Sequence, residues 1–255
     1  METTRPDWIF HLAAQSFVPT AWADPLGTLI NNIAGQVNLL QAVLAWGGSP
    51  TILVVGSNEE YGMVEAEDLP IKETAPLRPA NPYAVSKVAQ DMLGYQYHVS
   101  HGLQIVRVRP FNHLGPGQSD RFVASSFARQ IAEAERGIRP PIIQVGNLDA
   151  ERDFTDVRDI VRGYHLAMLL GRPGEVYNLG SERAVSIRRL LDLLLSRSLI
   201  PMKIEVDPSR LRPADVPRVV ADCTRFRMLT GWRPEIPLEQ TLADLLDYWR
   251  RTLSS

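Results

Sequence analysis

Thr51-Ile52-Leu53-Val54-Val55, followed at once by Gly56-Ser57, is the stretch whose reading decides the fold. Apolar weight without polar alternation is the pattern of a parallel strand covered on both faces. Upstream lies a helix over 26–46, closed by Gly47-Gly48. Before it, Trp8-Ile9-Phe10-His11-Leu12 reads as a further buried strand. Downstream, a loop carrying Pro70, Pro76 and Pro79 leads to a helix over 82–101, with Pro82 suited to its first turn. Gln104 to Arg109 is the next strand. Strands alternating with helices predict an α/β fold with a parallel sheet.

After Pro110 the rhythm changes. Helices are expected over 122–136, 157–170, 186–198, 222–229 and 238–253, with short strands at 142–145 and 176–179. Thr155-Asp156, Ser186 and Asp222 serve as candidate caps for three of these helices. This reads as a smaller, less regular lobe beginning near residue 111. There are no internal repeats.

The totals exclude several classes of function. The 255 residues carry a net charge of −2, so no basic field points to nucleic acid or an anionic membrane as partner. A hydrophobic fraction of 45% with 22% charged residues is ordinary for a soluble globular chain. The lone Cys223 excludes an internal disulfide and a cysteine-rich zinc site, and a cytoplasmic protein is expected. Among the five histidines only His98 and His101 are closely spaced, and they read as a solvated helix end rather than a metal site. No apolar run approaches membrane-spanning length, and Met1 to Asp7 has no signal-peptide plan.

The chemistry begins at Tyr83-Ala84-Val85-Ser86-Lys87. Residues four apart share a helix face, so the phenol and the ammonium point the same way. A cation beside a phenol favours phenolate, which would lower the Tyr83 pKa and make it a proton carrier at a carbonyl or alcohol. Ser57 sits at the C-terminal end of a parallel strand, where open α/β sheets place ligands. Its hydroxyl could donate to the substrate oxygen, or simply begin a turn. Glu59 reads equally as an acid/base group and as a solvated loop carboxylate.

Several motifs then fall in order: His11-Leu12-Ala13-Ala14-Gln15, Gly56-Ser57-Asn58-Glu59-Glu60-Tyr61-Gly62, and the Tyr83/Lys87 pair. They resemble successive signatures of the extended short-chain dehydrogenases/reductases that act on nucleotide sugars, the NAD-dependent epimerase/dehydratase family. The runs 109–118, 145–154 and 211–217 resemble the branch handling GDP-sugars. The resemblance implies a Rossmann-like doubly wound parallel sheet. Residues 1–110 would be a partial dinucleotide-binding domain carrying the catalytic residues. Residues 111–255 would be mainly a nucleotide-sugar-binding lobe, with some segments returning to the sheet.

The same resemblance implies roles. Ser57, Tyr83 and Lys87 form the catalytic set, with Glu59 as a possible fourth member. Leu12, Ala13, Ala14 and Pro110 would flank the cofactor, NADP or NAD, with Lys87 on its ribose. Ser57, Asn58, Asn112, Arg152, Arg212 and Asp215 would hold the substrate, the arginines gripping pyrophosphate or ribose oxygens. Arg152 could instead pair with Asp153 or Asp156, and Asp215 could be a helix-start carboxylate.

The reaction implied is reduction of the C4 keto group of a GDP-4-keto-6-deoxy-hexose. Because Glu59 is present, a GDP-mannose 4,6-dehydratase stays open, as does an epimerase. An inactive nucleotide-sugar-binding fragment is the alternative outside enzymology. A homodimer through the helices at 26–46 and 82–101 is also implied. No glycine-rich dinucleotide fingerprint occurs in the sequence. In the family, on the order of 60 residues precede the strand ending at His11. The chain therefore reads as truncated, with an exposed apolar sheet edge, weak dinucleotide binding and activity belonging to a full-length parent.

Overall fold

The structure, a computed structural model, describes residues 3–211 and 216–254. The chain forms two compact units. The first comprises the residues up to Phe111 together with Val161–Leu179 and Ala221–Arg233, and the second comprises Asn112–Ile160, Gly180–Val220 and the residues from Pro234 on.

The first unit is built on a four-stranded parallel sheet. Strands β1 (Trp8–His11), β2 (Thr51–Val55), β3 (Gln104–Pro110) and β7 (Val176–Leu179) lie side by side in that order. In register, Ile52 faces Ile9 on one side and Ile105 on the other, and Val108 faces Tyr177. Ile52, Leu53 and Val54 point alternately to opposite faces, yet all three are buried. Both faces of β2 are therefore covered, as its composition predicts.

β1 is the open apolar sheet edge expected above, although its apolar run taken alone reads as a buried strand. Among the described residues its only sheet partner is β2, and Trp8 and Phe10 are exposed by 38% and 40%. An apolar run at a sheet edge has no second strand to cover it.

Three helices complete the part of this unit that bears on the site. α1 (Val18–Ala23) is a single short helix with no counterpart among the elements predicted from the sequence. α2 (Pro25–Trp46) starts at Asp24, whose Oδ1 accepts from the Gly27 amide at 2.9 Å, and stops at Gly47 with φ +72°. α3 (Pro82–His101) starts at Asn81, whose Oδ1 accepts from the Ala84 amide at 2.8 Å, and stops at Gly102 with φ +70°.

The second unit holds strands β4 (Asn112–Leu114), β6 (Glu151–Asp156) and β8 (Ala184–Ser186) in one sheet. β5 (Ile142–Val145) and β9 (Lys203–Val206) form another. Helices α4 (Val123–Glu135), α6 (Ile187–Leu195) and α8 (Leu238–Thr252) enclose a core of Phe127, Ile131, Ile143, Leu190, Leu194 and Leu245. α5 (Val157–Leu170) follows β6 directly, and Asp156 Oδ1 accepts from the Arg158 amide at 2.8 Å, the expected cap. α7 (Thr224–Thr230) follows Asp222, whose Oδ1 accepts from the Thr224 amide at 2.8 Å.

Two segments beyond residue 110, Val161–Leu179 and Ala221–Arg233, belong to the first unit, and the first of them supplies β7. Among the described residues no helix is long and apolar enough to cross a membrane. No group of three His, Cys, Asp or Glu placed to hold a metal ion occurs among them either.

Candidate active site

The tip of β2 is held at three consecutive residues. Lys87 Nζ donates to the Val55 carbonyl at 2.9 Å. The Gly56 amide donates to the Val108 carbonyl at 2.7 Å. The Ser57 amide donates to Glu60 Oε1, also at 2.7 Å. Ser57 then caps a 3₁₀ turn over Asn58–Glu60, its hydroxyl accepting from the Glu59 amide at 3.2 Å. This reciprocal cap fixes the side chain in an otherwise extended residue.

The structure brings Ser57, Tyr83 and Lys87 together. Tyr83 and Lys87 lie one turn apart on α3, and Nζ is 6.0 Å from the Tyr83 ring centroid. Ser57 lies close enough to the Tyr83 phenol to draw its pKa down against the effect of burial. All three residues are buried.

The electrostatics run opposite to the expected activation of Tyr83 by the lysine. Burial pushes the Tyr83 phenol well above its ordinary value; the Ser57 hydrogen bond pulls it back, and the Glu59 and Glu60 carboxyls add to the rise. Lys87 is itself lowered to about 8 by burial, with Glu60 opposing. A desolvated ammonium turned toward a strand carbonyl does little to favour phenolate. Tyr83 therefore rests as a neutral phenol, the proton-donating form.

Glu59 Oε2 accepts from Asn81 Nδ2 at 2.9 Å, so the carboxylate is tied to the cap of α3 while remaining half-buried. Asn58 is buried within the 3₁₀ turn, and Pro110 is the buried last residue of β3. His11 is half-buried at the end of β1, where burial and the charge of Lys87 lower its pKa. It is neutral near pH 7.

A cavity of about 740 Å³ opens beside the β1 end, lined by Ala13, Ala14, Thr28, Asn31, Gly27 and Gly35 among others. Leu12 is exposed. The short side chains at Ala13 and Ala14, with two glycines on α2, keep this space clear. Small residues at a strand end and the Tyr83/Lys87 face fit the nicotinamide half of a dinucleotide. A glycine-rich turn to cradle its pyrophosphate is not among the 255 residues.

A polar ladder that sequence reasoning missed ties α2 to α3 and reaches the cavity wall at Gln15. Asn32 Oδ1 accepts from the Gln15 amide at 2.7 Å, and its Nδ2 donates to the Ser86 hydroxyl at 2.8 Å. Ser86 donates in turn to the Tyr83 carbonyl at 2.7 Å. Gln90 Nε2 donates to the Asn32 carbonyl at 3.0 Å, and Gln36 Nε2 to the Gln90 carbonyl at 2.6 Å. The signal for it was a set of polar residues on helix faces that otherwise point inward, visible only once α2 and α3 are paired.

In the second unit, Asn112 opens β4, and its Oδ1 is buried without a hydrogen-bond partner among the described residues. Arg152 Nη1 donates to the carbonyls of Glu151 and Val216 at 2.8 and 2.7 Å. Asp153 accepts from the Ser181 amide and hydroxyl and from the Glu182 amide, and Asp156 pairs with Arg158. Arg212 and Asp215 lie outside the described residues.

Known proteins resemble the chain in sequence and in fold. The chain is 43% identical over 244 residues to GDP-6-deoxy-D-mannose reductase of Pseudomonas aeruginosa, covering 96% of this chain and 80% of that enzyme. It is 32% identical to a dTDP-glucose 4,6-dehydratase of Streptomyces antibioticus, covering 96% of this chain and 70% of the other. Among solved structures, RMD from Pseudomonas aeruginosa complexed with NADPH superposes with a TM-score of 0.93 at 41% identity, over 98% of this chain and 83% of that one. The Thermus thermophilus UDP-glucose 4-epimerase complex with NAD gives 0.86 at 27% identity, over 98% of this chain and 79% of that one. The expected α/β fold with its parallel sheet is thus that of the nucleotide-sugar epimerases and dehydratases. Residues 1–245 match the family model for GDP-mannose 4,6 dehydratase, and the chain belongs to that family.

Proposed function

We propose that the protein reduces the C4 keto group of a GDP-4-keto-6-deoxy-hexose, forming GDP-6-deoxy-D-mannose (GDP-rhamnose), using NADPH or NADH. One observation carries this reading: Tyr83 and Lys87 are buried together on one face of α3, and Ser57 is buried at the tip of β2. Reduction of a carbonyl requires a proton to be delivered to the oxygen, and a protonated phenol is the form that delivers it. The bound nicotinamide, when present, supplies the hydride. Ser57 aims the carbonyl by donating to its oxygen. Lys87 holds the strand tip and lies on the face expected to meet the cofactor ribose. Leu12, Ala13, Ala14 and Pro110 are proposed to flank the cofactor. Asn58, Asn112, Arg152, Arg212 and Asp215 are proposed to bind the GDP-sugar.

Dehydration would need Glu59 as an additional acid/base, and that carboxylate is engaged with Asn81. Reductase and dehydratase separate in one assay. With GDP-4-keto-6-deoxy-D-mannose and NADPH, a reductase consumes nicotinamide absorbance stoichiometrically. With GDP-mannose alone, only a dehydratase accumulates keto-sugar. Keto-sugar formed from GDP-mannose without NADPH consumption overturns the proposal.

A cytoplasmic homodimer is part of the same proposal. Val85, Met92 and Val99 recur at seven-residue spacing on α3 and are exposed, as are Leu26 and Ile30 on the adjoining α2. Such a stripe on two packed helices suits a second copy of itself. Sedimentation velocity should give a dimer, and a Val85→Glu, Met92→Glu variant a monomer.

A further inference from the structure

We propose that Glu60 is the positioning residue of Ser57: its buried carboxyl, seated in the space left by Gly56 and braced by Arg109, sets the aim of the serine hydroxyl. The inference rests on Ser57 acting as proposed above, and goes beyond it in assigning a role to a residue that reading does not use.

The side chain of Glu60 is fully buried. Oε1 receives the Ser57 amide at 2.7 Å, and Oε2 lies 3.1 Å from Arg109 Nε. A Cβ added at Gly56 would stand 2.2 Å from Oε1, so the carboxyl occupies the volume a side chain would take. Arg109 is fixed in its turn: it pairs with the buried Asp91, donates to the Tyr61 hydroxyl at 3.1 Å, and stacks 5.1 Å from the Tyr61 ring centroid.

Removing a carboxylate from water is costly even in favourable surroundings, and an apolar residue would fill the same volume at lower cost. Here Oε1 is met by the Ser57 amide, while Oε2 faces the Arg109 guanidinium at 3.1 Å without a hydrogen bond. Burial and the neighbouring Asp91 carboxylate push the Glu60 pKa well up, while Arg109 and the Ser57 amide pull it down. What the carboxyl obtains in this position is a fixed Ser57 amide. With that amide held, the Val55 carbonyl held by Lys87 and the serine oxygen accepting from the Glu59 amide, the hydroxyl retains one proton and one direction in which to give it.

The test is a double-mutant cycle in the whole chain between Glu60→Gln and Ser57→Ala, with keto-sugar and NADPH as substrates. Glu60→Gln alone should lower kcat by about 10-fold to 10²-fold, the scale of a displaced reacting group, with KM for both substrates little changed. In the Ser57→Ala background it should lower kcat no further. An equal loss in both backgrounds, or a folded Glu60→Gln variant at full rate, overturns the proposal. If Glu60→Gln does not fold, Gly56→Ala displaces the same carboxyl and takes its place in the cycle. A full rate for Ser57→Ala sinks the reading of the active site instead. The Ser57 amide then still reports: its chemical shift and hydrogen exchange should change strongly in Glu60→Gln, and an unchanged amide overturns the role of Glu60.

Discussion

Lys87 Nζ is bonded to the carbonyl of Val55 at 2.9 Å, so the ammonium that sequence logic assigns to the phenol is anchored on the strand instead. Without substrate and cofactor, the tyrosine waits protonated and the lysine is the perturbed base. The two groups lie on one helix face, as their spacing requires, but the expected direction of pKa change at Tyr83 is reversed by desolvation.

Tyr83→Phe removes the donor and keeps the ring. Turnover of keto-sugar should fall by about 10²-fold or more, the scale of lost general-acid assistance, while affinity for NADPH stays unchanged. Steady-state kinetics and a fluorescence titration of the cofactor check both halves; an undiminished rate discards the role.

Lys87 carries a pH signature. Its folded pKa of about 8 lies below the ordinary 10.5, so between those values the unfolded chain binds more protons. The stability due to this group is fully present above the unfolded value and is lost as pH falls through about 8. Urea unfolding of wild type and Lys87→Met should therefore diverge in favour of wild type, by on the order of 2 kcal/mol, as pH rises from about 7 to about 10. Parallel stability curves would show that the lysine is not desolvated.

Two glycines should answer oppositely to alanine. At Gly56 the new methyl meets the Glu60 carboxyl, and a loss of about 1–3 kcal/mol is expected. At Gly35, inside α2, nothing lies within 4 Å of the added Cβ. There alanine should stabilise by about 0.5–1 kcal/mol through helix propensity. Thermal unfolding of the pair decides.

Asp153→Ala should destabilise by about 2–4 kcal/mol, the cost of leaving buried donors unpaired. Its carboxylate holds the Ser181 amide and hydroxyl and the Glu182 amide, and Glu182 sits at φ +60°, a conformation that needs such support. Denaturant midpoints would show no shift if the loop holds itself.

The parts legible in the sequence were those written in local code. β2, α2 and α3 carry long apolar runs and caps, and Ser57, Tyr83 and Lys87 sit at positions that strand ends and helical spacing define. β6, reading Glu-Arg-Asp-Phe-Thr-Asp, hides its strand character because its carboxylates have partners distant in sequence, such as Thr241 for Asp156. β9, Lys-Ile-Glu-Val, alternates polar and apolar residues but is exposed throughout and only four residues long, too short for its pattern to stand out. Glu60 resembles any loop acid until Arg109 is brought beneath it. The apolar run of β1 taken alone implies a cover, and its exposure follows only from its place at the sheet edge.

The ladder through Asn32, Ser86 and Gln90 locks the axial register of two helices. A slip of α2 along α3 by a single residue would strand Asn32, Gln36, Ser86 and Gln90 in the dry interior at once, so the pair moves as one body. A displacement of α2 must break these bonds before it can leave the main chain that carries the phenol behind.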